Sequence, residues 1–128
     1  MIWRAPYEPG VIHEIPSPED LPDGFYVGIF STQGLREAEI WRRLAVEGGH
    51  AVTFLAVGFP VETLAPLVAP SATASWRDAT IGWQGLTQDG AKSFGATISR
   101  GTVKTLVSGL PTEDVWEAVS RELSSGFE

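Results

Sequence analysis

Hydrophobic and polar residues follow two different periods in the middle of the chain. Residues 25–30 and 51–57 are apolar at nearly all consecutive positions, which is typical of strands that are covered on both faces. Between them, apolar residues recur every three or four positions as far as Gly48 and Gly49, which predicts an amphipathic helix that ends at a glycine. Because a helical crossover joins parallel strands, the pattern predicts a parallel βαβ unit over residues 25–58.

The last third of the chain has the pattern of shorter strands separated by turns. Residues 71–75 are small and polar and are expected to form a loop. Two tight turns then separate predicted strands over residues 79–86, 93–99 and 102–107. We expect these strands to form an antiparallel meander over residues 79–108, beside the parallel pair. Thr112 and the acidic residues after it predict a cap and a C-terminal helix over residues 113–124.

The N-terminal segment is rich in proline. It contains five of the nine prolines, which interrupt regular structure: Pro6, Pro9, Pro16, Pro18 and Pro22. Only residues 11–15 alternate well enough to predict an edge strand. We expect residues 1–24 to pack on the rest of a single domain that spans residues 1–128. The predicted fold class is α/β or α+β, with a mixed sheet of about five strands covered by two main helices.

Composition narrows the class of protein further. Hydrophobic residues make up 43% of the 128 residues and charged residues 20%, as in globular proteins. Cysteine is absent, which excludes disulfides, thiolate nucleophiles and cysteine-ligated metals. The first residues lack the pattern of a signal peptide, and no stretch approaches the roughly 20 apolar residues of a membrane span. We therefore expect a cytoplasmic protein without membrane association.

The net charge of −7 is distributed unevenly along the chain. Residues 76–110 carry four basic and two acidic residues, which leaves this stretch at +2 while both ends of the chain are acidic. An acidic protein has little general affinity for nucleic acid, because such binding depends on neutralising many phosphates. Charge therefore makes nucleic acid an unlikely partner and leaves only a local basic surface to consider.

One turn has the composition of an anion site. Ser31, Thr32, Gln33 and Gly34 follow the first buried strand and precede the predicted helix. Hydroxyls, an amide and free backbone N–H groups at such a place favour phosphate or carboxylate binding. The turn is neither a Walker sequence nor a dinucleotide-binding fingerprint, and a serine or threonine before a helix is also an ordinary cap. Capping alone is the simpler interpretation of these four residues.

Catalytic and metal-binding patterns do not stand out in the sequence. His13 and His50 have no companion at metal-ligand spacing, and Glu14 beside His13 points to the opposite face of a strand. No serine lies in a nucleophile elbow. We therefore expect no metal and no cofactor, and a noncatalytic protein is the favoured interpretation while an enzyme stays an open alternative.

A second candidate surface combines aromatic and basic residues. Trp41 and Trp116 fall on the apolar stripes of helices and are expected in the core. Two other tryptophans and four basic residues lie on or near the predicted meander and are candidates for an interaction surface: Trp76, Arg77, Trp83, Lys92, Arg100 and Lys104. Tryptophan and arginine are enriched where protein interfaces concentrate their binding energy. The alternative is that the tryptophans pack inward and the charges are solvated.

Three functional hypotheses follow. The first is a noncatalytic protein-interaction or assembly module, with a protein partner or a second copy in a homodimer. The second is a small anion-binding or ligand-binding protein, or an enzyme, that uses the turn at residues 31–34. The third is single-stranded nucleic-acid binding through the basic and aromatic meander.

Overall fold

The computed structural model describes residues 11–12, 14–63 and 74–125. These residues form a sheet whose strands are β1 (Val11–Ile12), β2 (Ile15–Pro16), β3 (Gly24–Ile29), β4 (Val52–Val57), β5 (Ala74–Ala79), β6 (Ser93–Ser99) and β7 (Thr102–Ser108). Two α-helices accompany the sheet, α1 (Leu35–Glu47) and α2 (Glu113–Ser125). Short 3₁₀ helices occupy Thr32–Gly34, Val61–Thr63 and Ile81–Leu86.

The strands are arranged in the order β1-β7-β6-β3-β4-β5, and β2 also pairs with β7. The neighbours β3, β4 and β5 are parallel, whereas β6 and β7 run antiparallel to their neighbours. The mixed α/β class, the parallel βαβ unit and the C-terminal helix are therefore confirmed. The predicted N-terminal edge strand is present as two short pieces, because Glu14 between β1 and β2 has a φ of 60°.

The prediction of a first meander strand over residues 79–86 is wrong. Residues 79–86 contain the 3₁₀ helix Ile81–Leu86, and the strand lies earlier, at β5, parallel to β4. Part of the expected loop at residues 71–75 therefore belongs to a strand. Alternation of Ile81 and Trp83 resembles a strand, but the 3₁₀ helix lets Trp83 stack on Phe94, with 5.0 Å between the ring centroids. This long-range contact stabilises a conformation that local periodicity does not indicate.

Both α-helices lie on one face of the sheet, which we call the helix face. Its core includes Trp41 and Phe25, whose rings are 5.8 Å apart, and Trp116 packs beside them. Trp41 is fully buried and lies directly on Gly95, where a Cβ atom would come within 2.4 Å of the indole. The backbone of β6 can approach α1 this closely only because residue 95 has no side chain.

The opposite face, which we call the second face, has its own core. Phe94 crosses Gly28 of the neighbouring strand so closely that a Cβ there would lie 1.9 Å from the phenyl ring. Ile15 and Leu21 of the N-terminal segment are buried in the same cluster, together with Trp83. Helices cover one face of the sheet, and the N-terminal segment and the 3₁₀ helix Ile81–Leu86 contribute to covering the other.

Candidate functional site

The turn at residues 31–34 lies at the carboxyl end of β3, as the sequence predicts. Ser31 has an extended backbone, and its Oγ accepts a hydrogen bond from the Gln33 N–H at 3.2 Å. Thr32 and Gln33 are exposed, whereas Gly34 is buried, with its Cα facing the carbonyl oxygen of Lys92. The serine thus caps the 3₁₀ helix that leads into α1, and anion binding at this turn stays a prediction.

The six aromatic and basic residues of the second candidate surface do not share one face. Trp83 is fully buried, so its expected role on an exposed surface is wrong. Arg77 is on β5 and Lys104 on β7, four strand spacings apart, or roughly 19 Å. Lys92 precedes β6 near the turn at Gly34, and Arg100 occupies the opposite turn between β6 and β7. The residues expected to form a continuous basic surface are thus dispersed along the sheet.

Trp76 and Arg77 remain together on β5. Trp76 is half-buried on the helix face and stacks on Phe54 of β4, with ring centroids 4.8 Å apart and an interplanar angle of 24°. Arg77 is exposed on the second face and forms no ion pair with any residue that the structure describes. The next residue, Asp78, accepts a hydrogen bond from the Val61 N–H at 2.8 Å.

Among the strands that the structure describes, β5 is the last at its side of the sheet, and we call it the open edge. All six of its residues are in unbroken register with β4, from Ala74 opposite Val52 to Ala79 opposite Val57. Within the described part of the chain, β5 pairs with no other strand. Such a strand presents a row of backbone N–H and C=O groups on which another strand can pair.

A groove lies on the second face next to the open edge, at the amino ends of the parallel strands. Its floor is a row of three hydroxyl-bearing side chains on adjacent strands, because the register places Tyr26 beside Thr53 and Thr53 beside Ser75. We call these residues the hydroxyl row. The groove has a volume of about 560 Å³ and is also lined by Pro22, Asp23, Gly24, Phe25, Ala51, Trp76 and Arg77.

Hydrogen bonds and charges organise the groove. The Tyr26 hydroxyl donates to the carbonyl oxygen of Pro22 at 2.6 Å, and the hydroxyls of Thr53 and Ser75 are 3.2 Å apart. Burial raises the pKa of the Tyr26 phenol above its usual value of 10.0; the positive charge of Arg77 opposes this shift, and the negative charge of Asp23 adds to it. The phenol is therefore neutral and lies between two opposite charges.

Sequence reasoning singled out Trp76 and Arg77 but missed the hydroxyl row. Tyr26 and Thr53 lie within strands whose composition is almost wholly apolar, and Ser75 belongs to the stretch expected to be a loop. Alternation along each strand assigns residues to a face, but the register between strands decides which residues are neighbours. The one available signal was the hydroxyl of Thr53 within an otherwise apolar run.

Among the described residues, no helix is both long and apolar enough to cross a bilayer. In the same part of the chain, no three side chains of histidine, aspartate or glutamate are grouped in a way that would hold a metal ion. Protein-family models, curated proteins and solved structures were each compared with the chain, and none of them matches it.

Proposed function

We propose that this protein is an assembly module that forms a homodimer by pairing the open edges of two copies. The observation that supports this proposal is that β5 pairs with β4 over six residues on one side and has no partner on its other side among the described residues. Symmetric dimers are the commonest oligomers, and edge pairing joins two sheets through backbone hydrogen bonds. Exposed Ser75 and Arg77 leave this edge accessible on the second face.

The alternation of faces limits how the two copies can pair. A two-fold axis normal to the sheet makes the strands antiparallel and keeps both helix faces on the same side. Residues that lie opposite each other must then share a face, so an even-numbered residue of β5 pairs with an even-numbered one. Registers centred on Arg77 or on Asp78 place like charges opposite each other, which is unfavourable.

The register centred on Trp76 satisfies these conditions. It places Trp76 opposite Trp76 of the second copy and Ser75 opposite Arg77 of the second copy. The stack of Phe54 and Trp76 would then continue across the axis into the same pair of the other copy. An interface of this kind is small, so we expect a dissociation constant on the order of 100 µM.

A charge-reversal pair at Ser75 tests this register. By symmetry each dimer contains two contacts between position 75 and Arg77. Ser75→Glu creates two favourable pairs and Ser75→Arg two unfavourable ones, so the dissociation constant should fall and rise, respectively, by roughly fivefold to tenfold. Sedimentation equilibrium over a range of protein concentrations measures both constants.

The matched control is the same pair of substitutions at Ala118, an exposed residue on the outer side of α2. Ala118→Glu and Ala118→Arg should leave the dissociation constant within about twofold of that of the wild type, because position 118 is remote from the open edge. The double variant Ser75→Glu with Arg77→Gln should lose the gain. A protein that is monomeric at millimolar concentration, or Ser75 variants that behave like the Ala118 variants, would contradict the proposal.

A further inference from the structure

The groove beside the open edge has features of a ligand site that do not depend on self-association. Its floor crosses three strands, and only one of them, β5, belongs to the open edge. Binding pockets for small molecules have volumes of roughly 300–1,000 Å³ and combine apolar walls with a few polar groups. The groove, at about 560 Å³, lies within that range and contains both kinds of lining residue.

The donors that remain free toward the groove are one hydroxyl proton of the hydroxyl row and the guanidinium group of Arg77. Tyr26 already uses its proton on the carbonyl oxygen of Pro22. When the hydroxyls of Thr53 and Ser75 bond to each other, one donates and the other keeps its own proton available. Arg77 adds a guanidinium group with five N–H donors and no carboxylate partner among the described residues. These donors favour a ligand that brings acceptor oxygens.

The charges favour a ligand with a single negative charge. Arg77 is the one cationic side chain among the described residues that line this groove, and Asp23 lies at the opposite side of its floor. The chain as a whole has a net charge of −7, which disfavours a dianion. A guanidinium group matches the geometry of a carboxylate, with two parallel N–H···O bonds.

The walls favour a ligand with an apolar body. Pro22, Ala51 and the aromatic ring of Tyr26 line the groove together with the polar residues, whereas the side chains of Phe25 and Trp76 lie on the helix face. We propose that the groove binds a small organic monocarboxylate, with its carboxylate between Arg77 and the hydroxyls of Thr53 and Ser75 and its apolar body against the groove wall. The expected ligand class is that of aryl-substituted or alkyl-substituted acetates.

A titration followed by NMR tests the proposal with phenylacetate as the probe and phenylacetamide as its uncharged counterpart. The wild-type protein is used at a concentration at which it is monomeric by sedimentation. For a ligand of this size we expect a dissociation constant for phenylacetate on the order of 1 mM. Phenylacetamide should bind about tenfold more weakly, because it lacks the charge that pairs with Arg77. The amide signals that shift should be those of residues 23–26, 51–53 and 75–77.

Three variants distinguish this site from nonspecific binding. Arg77→Gln should weaken phenylacetate binding about tenfold, and the isosteric Thr53→Val by a smaller factor of about three to five. Lys104→Gln, which removes a positive charge from the other side of the sheet, is the matched control for Arg77→Gln.

Some results would overturn the carboxylate site. They are equal affinities for phenylacetate and phenylacetamide, binding that survives Arg77→Gln, or the absence of shifts in the groove at tens of millimolar phenylacetate. None of these results bears on dimer formation, because the titration uses monomeric protein. Conversely, a failure of the charge-reversal test at Ser75 leaves the titration with the Thr53 and Arg77 variants fully informative.

Discussion

The two edges of the sheet are built in opposite ways. At one side lie β1 and β2, two strands of two residues each, and we call this the broken edge. Glu14 separates them with a φ of 60°, and Pro16 contributes no backbone N–H group. At the other side, the open edge keeps six residues in continuous register.

The difference shows which side of the molecule is protected against pairing. Short strands, prolines and local kinks are the means by which proteins prevent their edges from joining other strands. The broken edge has all three, and an ion pair at 3.7 Å joins Glu14 to Lys104 beside the kink. The open edge has only the charges of Arg77 and Asp78. We therefore expect intermolecular pairing at the open edge.

The largest expected effect comes from removing the aromatic stack that holds the open edge. Trp76→Ala should lower the free energy of unfolding by about 2–3 kcal/mol, because a half-buried indole loses its contact with Phe54. Urea unfolding measures this loss. Hydrogen exchange should show that the amides of β5 lose protection while those of β7 keep theirs.

The matched variant Trp76→Phe retains an aromatic ring over Phe54. Its cost should be smaller, about 1 kcal/mol, since only part of the contact area is removed. If Trp76→Ala costs less than about 0.5 kcal/mol, the backbone pairing with β4 alone holds β5, and the open edge is more robust than the stack implies.

A smaller effect is expected from the phenol beside the open edge. Burial raises the pKa of Tyr26, so the native state keeps a proton that the unfolded chain releases at its ordinary pKa of 10.0. The stabilisation is complete below that pH and is lost as the pH rises through the native pKa, with a slope of at most about 1.4 kcal/mol per pH unit. Urea unfolding between pH 8 and pH 12 should show this decline, and Tyr26→Phe should remove it.

Two neighbouring charges should shift the pKa of Tyr26 in opposite directions when they are removed, which provides a control for this titration. Arg77→Gln removes a positive charge and should raise the pKa of Tyr26 further, whereas Asp23→Asn removes a negative charge and should lower it. Absorbance changes of the phenolate, taken as the difference from Tyr26→Phe, report the pKa directly. Shifts of the same sign in both variants would show that burial changes, rather than charge, dominate this site.

The smallest effect is expected at the broken edge. Glu14→Gly should raise the free energy of unfolding by about 0.5 kcal/mol, because glycine adopts a positive φ without strain. Loss of the exposed ion pair with Lys104 offsets little of this gain, and Lys104→Gln alone should change stability by less than about 0.5 kcal/mol. Urea unfolding of both variants provides the measurement.

Arg100→Gly is the matched control, because Arg100 has a φ of 54° in the turn between β6 and β7. This substitution should raise the free energy of unfolding by a similar amount. If Glu14→Gly destabilises the protein while Arg100→Gly stabilises it, the side chain of Glu14 contributes more at the broken edge than its backbone conformation costs.

The parts of the fold that could be predicted are those whose signal is local. The two central strands, α1 and α2 have a strong period in their own residues, and the buried Trp41 on the helix stripe is confirmed. The strand at β5 could not be predicted, because its small and polar residues resemble a loop. It is a strand because β4 offers it six consecutive pairing positions.

The candidate site was predictable only in part. Trp76 and Arg77 were identified by residue type, since tryptophan and arginine are typical of binding surfaces. The burial of Trp83 was one of two alternatives that the sequence left open, because alternation cannot show that Phe94 from another strand provides a stacking partner. The hydroxyl row was missed for a related reason: its three members lie on three strands that are separated in the sequence.

Periodicity and composition were sufficient for the α/β class, the crossover and the helix stripes, because these depend on contacts between residues that are close in the sequence. Tertiary structure alone placed Trp83 in the core, made β5 an edge strand and aligned Tyr26, Thr53 and Ser75 in one groove. The physical reason is that strand pairing and aromatic stacking are long-range interactions. Their free energy depends on which surfaces meet in the folded chain, and not on the order of residues within any one segment.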